Sequence, residues 1–122
     1  MKNLLLSLFL ILIFSCKDST VSSRLEVCGV KDPVRNLPWL KAKIDSLSAK
    51  NQDDMLTVTL GKIKGEIVFD CTMIYMSCIG CAAHHCDGTR VDLSKYTQEE
   101  MKDFLATIRG EGTRGPVIWP EK

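Results

Sequence analysis

The sequence predicts an α+β fold, in which a helix packs on a small antiparallel β-sheet and a second helix and a short terminal strand follow. Three observations carry this expectation. Apolar residues recur at three- and four-residue steps from Leu37 to Leu47 and again from Met101 to Ile108, the spacing of one helix face. Between them, Leu56-Thr57-Val58-Thr59-Leu60 alternates strictly, as a half-buried strand does. Turn signals at Lys64-Gly65 and Asp87-Gly88 fold the intervening chain into hairpins.

The chain opens with Met1-Lys2-Asn3, an apolar run from Leu4 to Phe14, and then Ser15-Cys16-Lys17-Asp18. A positive charge, a short hydrophobic stretch and a small residue at the cut are the layout of a secretory signal. The run is about half of the roughly twenty residues a membrane-crossing helix needs, so residues 1–15 read as a removable signal. Ile13-Phe14-Ser15-Cys16 resembles the lipobox, where signal peptidase II cuts before a cysteine that carries diacylglyceryl and palmitate. Phe14 is bulkier than the usual residue there. Cys16 is therefore the expected lipidation site, and the lipid, not a basic patch, is the expected membrane partner. Residues 16–27 are polar and Ser-rich and read as the lipidated cysteine and a flexible tether. The ordered domain is expected over residues 28–122.

In that domain Pro38 suits the first turn of a helix, with Asn36 or Leu37 as its cap, and the apolar stripe Leu37, Leu40, Ile44 and Leu47 follows. After the alternating strand, Ile67, Phe69 and Cys71 share one face of the next one. Asp87-Gly88 turns His84-His85-Cys86 back on Thr89 to Leu93. Thr97-Gln98-Glu99-Glu100 is a capping box, Met101, Phe104, Leu105 and Ile108 form the helix stripe, and Gly110 ends it. Val117-Ile118-Trp119, between Pro116 and Pro120, suits a short edge strand. Trp39 and Trp119 are expected in the core of so small a domain, not on a binding platform.

The whole chain carries a formal charge of +1, and loss of Lys2 with the signal brings it to zero. A balanced charge argues against nucleic acid, which demands a basic surface. Setting Cys16 aside leaves Cys28, Cys71, Cys78, Cys81 and Cys86. Outside the cytoplasm, where disulfides persist, these are all candidates for bridges. An odd number leaves at least one unpaired, and the connectivity stays open.

The run from Cys71 to Cys86 admits two further chemistries. Cys78, Cys81 and Cys86 with His84 or His85 form a thiolate and imidazole set suited to zinc or copper, although adjacent histidines on a strand point to opposite faces. Cys78-Ile79-Gly80-Cys81 is also the C-x-x-C of a thiol–disulfide oxidoreductase, but too little chain follows for the helix that lowers such a thiol's pKa. No complete catalytic constellation stands out, so a non-enzymatic binding or interaction module without cofactor is the leading expectation, its protein or small-molecule partner open.

Cys28-Gly29-Val30-Lys31-Asp32-Pro33 with Asn36-Leu37-Pro38-Trp39-Leu40, the Ile63-Lys64-Gly65 turn and Cys86-Asp87-Gly88 together resemble small uncharacterised lipoproteins of the Bacteroidota. The resemblance covers residues 28–93, and the helix after Thr97 departs from it. It implies a cell-envelope address, at the outer membrane on its periplasmic face or at the cell surface, and no activity. Lys17-Asp18 is similar to the start of a surface-export signal, with Ser19 where a further acid is expected.

Overall fold

A computed structural model describes residues 20–121. The signal segment and Cys16 lie outside the described residues. In chain order the elements are β1 (Glu26–Val27), β2 (Val30–Lys31), α1 (Pro33–Asn36), α2 (Pro38–Ser48), β3 (Leu56–Ile63) and β4 (Glu66–Met73). They continue as β5 (Ala83–His84), α3 (Gln98–Arg109) and β6 (Val117–Trp119). The fold is the expected α+β. β5, β4, β3 and β6 lie side by side in one antiparallel sheet, and β1 and β2 form a separate small hairpin.

The β3–β4 hairpin turns at Lys64 and Gly65, both at positive φ (51° and 81°), which matches the right-handed twist of the strands. Its register sets Thr57 opposite Thr72, Thr59 opposite Asp70 and Gly61 opposite Val68. The two-residue period then sorts the side chains. Leu56, Val58 and Leu60 join Phe69, Cys71 and Met73 on one face, where Leu40 and Ile44 of α2 cover them. Ile63 and Val68 point the other way and meet Phe104 and Ile108 of α3. The sheet is thus a middle layer between α1–α2 and α3.

α3 starts with the capping box as expected. The Thr97 hydroxyl accepts from the Glu100 N–H (3.2 Å), and the Thr97 N–H donates to the Glu100 carboxylate (2.9 Å). The helix lies close over Gly61, where an added Cβ would stand 2.6 Å from Ile108 Cγ2. α2 begins at Pro38 with Leu37 at its cap position, and Leu37 is itself buried. Trp39 packs edge-on against Phe69 and stacks on His84, each at 5.4 Å, while its indole N–H donates to the Cys86 carbonyl (2.8 Å). The Trp119 indole donates to the Asp53 carbonyl (2.9 Å). Both tryptophans belong to the packing of the domain.

One boundary needs correction. Residues 20–27, expected in the flexible tether, fold onto the domain. Ser22 is fully buried, its hydroxyl donating to Asp32 (2.7 Å) and accepting from the Val34 N–H (3.1 Å). Leu25 and Val27 pack on the α2-side core. A polar, Ser-rich composition suggested a linker because these partners lie ten and twelve residues away, beyond any local pattern.

Candidate functional site

The cysteine cluster resolves into two bridges and a buried thiol. Cys28 pairs with Cys86, and Cys78 pairs with Cys81. The first ties the β1–β2 hairpin to the Asp87-Gly88 turn, which forms as expected, with the His85 N–H donating to the Thr89 carbonyl (2.8 Å). Cys71 stays unpaired in the middle of β4, and burial pushes its thiol up to about 12. At that value almost no thiolate forms at neutral pH, so Cys71 is a poor nucleophile and metal ligand.

The zinc or copper alternative finds no ligand set here. Cys78, Cys81 and Cys86 are held in bridges. His84 and His85 diverge: His84 Nδ1 lies 2.8 Å from the Ala82 carbonyl, while His85 Nδ1 lies 2.8 Å from Glu66 Oε1. Burial lowers the pKa of His84, which keeps it neutral under Trp39. Among the described residues no three histidine, cysteine or acidic side chains group to hold a metal ion. Nor does a helix begin at Cys78-Cys81: the bridge closes a turn in the segment linking β4 to β5. That segment exposes Ile74, Tyr75 and Ile79.

The sheet face under α3 holds a second feature. α3 covers only one end of that face, and beyond Gly61 and Val68 the same face becomes polar. Thr57 and Thr59 on β3 stand opposite Thr72 and Asp70 on β4. Together with Ile79, Ile108, Arg109 and Arg114 these residues line a cleft of about 280 Å³. Asp70 is only 6% exposed. Its Oδ2 accepts from the Thr72 hydroxyl (2.9 Å), whereas its Oδ1 is shielded from solvent and has no hydrogen-bond partner among the described residues. Desolvation raises its pKa, against the opposing pull of Thr72, His84 and Arg114. Leaving a buried carboxylate oxygen unpaired costs about 1–3 kcal/mol, so this oxygen is an open demand for a donor.

The two features meet at Ile79 and Gly80. The Cys78–Cys81 bridge closes the loop that places Ile79 at the cleft, and Gly80 sits at positive φ (77°), where an added Cβ would stand 2.9 Å from the Phe104 ring. The bridge therefore braces one wall of the cleft. A larger groove of about 390 Å³, bounded by Leu25, Val27, Leu60 and Ile67, offers mostly apolar surface and no buried unpaired group.

Sequence reasoning singled out the cysteines and missed Asp70. The available signal was a lone carboxylate inside the apolar run Ile67-Val68-Phe69-Asp70-Cys71, flanked in the structure by the buried Val68, Phe69 and Cys71. The chain matches no protein-family model, no curated protein and no solved structure.

Proposed function

We propose that the chain is a lipid-anchored protein of the cell envelope whose disulfide-braced domain binds a partner and does not transform it. The observation that carries this reading is the pair of bridges, Cys28–Cys86 and Cys78–Cys81, because such bonds persist outside the cytoplasm. The lipobox-like Ile13-Phe14-Ser15-Cys16 and the likeness to Bacteroidota lipoproteins support the same address. Among the described residues no helix is long and apolar enough to cross a membrane. Thiol-based catalysis is disfavoured because the one unpaired thiol among the described residues is buried and held protonated.

Metabolic labelling with a palmitate analogue tests the anchor. The wild-type chain should label and Cys16→Ala should not; label retained in Cys16→Ala overturns the assignment. A thiol count on the same preparation tests the bridges. Unfolding without reductant should release one reactive thiol, that of Cys71, while the native protein reacts slowly or not at all. Several fast-reacting thiols in the native state refute the bridged reading.

A further inference from the structure

We propose that the cleft over Asp70 is a binding site for a small aliphatic zwitterion, an α-amino acid of the leucine type. This deepens the binding-module reading and rests on it for its role, though not for its chemistry.

The floor of the cleft supplies the cation-binding half. Asp70 Oδ1 is buried and has no donor among the described residues, and Asp70 stands in a square of residues completed by Thr57, Thr59 and Thr72. An ammonium group carries three donors, enough to reach the Asp70 carboxylate and the threonine hydroxyls beside it. Burial raises the pKa of Asp70, and a bound cation would favour its ionised form.

The rim supplies the anion-binding half. Arg109 and Arg114 line the cleft, and among the described residues neither forms an ion pair with a carboxylate. Arg114 lies near enough to favour the ionised form of Asp70 yet makes no ion pair with it. Opposite charges that line one cleft without an ion pair leave room for a ligand bearing both complements on a single carbon. A guanidinium fork matches a carboxylate in two parallel hydrogen bonds.

The remaining wall sets the side chain. Ile79 and Ile108 are apolar and face the same space. A volume of about 280 Å³ is enough for a single amino acid. Convergent polar groups with an apolar wall are the usual make-up of a small-molecule site.

The test is amide-shift titration of the full-length, disulfide-intact protein, ¹⁵N-labelled and held in detergent micelles, with L-leucine. Two half-ligands accompany it: 3-methylbutylamine lacks the carboxylate, and 4-methylpentanoate lacks the ammonium. Leucine should produce saturable shifts confined to residues 57–59, 70–72, 79, 108–109 and 114, and each half-ligand should bind at least roughly tenfold more weakly. Asp70→Asn, which keeps the side chain's shape, should weaken leucine by at least roughly tenfold. Arg114→Gln lies at an exposed position and so spares the fold; it should weaken leucine and leave the amine unchanged. No saturable shift up to about 10 mM leucine, or equal responses to leucine and both half-ligands, overturns the proposal. A chain that takes up palmitate but ignores leucine loses this site and keeps its anchor, so the two failures are distinguishable.

Discussion

Removing the Cys28–Cys86 bridge should destabilise the domain about twice as much as removing Cys78–Cys81. The argument is one of chain entropy. The first bridge joins residues 58 apart in sequence and the second residues 3 apart. A cross-link restricts the unfolded chain more when the loop it closes is longer, which gives about 4 kcal/mol for the long loop and about 2 kcal/mol for the short one. Cys28 and Cys86 are only partly buried, so lost packing adds little to the difference. Against a total stability of about 5–15 kcal/mol for a domain of this kind, the long bridge is a large share. The assay is urea unfolding of Cys28→Ala/Cys86→Ala and Cys78→Ala/Cys81→Ala beside the wild type. Trp39 reports on it directly, since its indole N–H is bonded to the Cys86 carbonyl. With a urea slope of about 1–2 kcal/mol per molar, the midpoint should fall by roughly 2–4 M for the first variant and roughly 1–2 M for the second. Equal losses in the two variants, or a loss under about 1 kcal/mol for the long bridge, would refute the reasoning.

Gly61→Ala places a methyl 2.6 Å from Ile108 Cγ2 and 3.2 Å from the Phe104 ring, so α3 must shift; a loss of about 1–3 kcal/mol in chemical unfolding is expected, and an unchanged midpoint would show that the helix can yield freely. Asp70→Asn should stabilise the protein in a pH-dependent way. Burial raises the folded-state pKa above the ordinary 3.8, so the folded chain holds this proton longer than the unfolded one. Stability therefore declines as pH rises from the unfolded value through the folded one. The asparagine variant should gain about 1 kcal/mol at pH 7 and nothing at pH 3, read from thermal melts at both; an equal gain at both pH values would show that ionisation of Asp70 carries no penalty.

What could be read in the sequence was what neighbours along the chain decide. The Thr97–Glu100 capping box, Pro38 at the first turn of α2, the Lys64-Gly65 turn and the sharing of one face by Ile67, Phe69 and Cys71 are all local patterns, and each appears where expected. What escaped depends on contacts distant in sequence. Ser22 reads as linker until Asp32 and Val34 take up its hydroxyl. The square of Thr57, Thr59, Asp70 and Thr72 exists only in the hairpin register, and it is open only because α3 stops short of it. The cysteines show the same division. Their number and setting predicted bridges with one unpaired thiol, while the pairing of Cys28 with Cys86 follows from tertiary packing.

The burial of Ser22 has a consequence for reach. If the domain is anchored through lipid on Cys16 and fixed from Thr20 onward, four peptide steps separate bilayer from fold. A fully extended chain covers at most about 3.6 Å per step, so this leash spans no more than about 14 Å. A tether running to residue 27 would have let the domain sweep a hemisphere several nanometres deep. So anchored, the domain would stay within that distance of the headgroups, where a dissolved small molecule could reach its cleft while a bulky partner would itself have to come to the membrane surface.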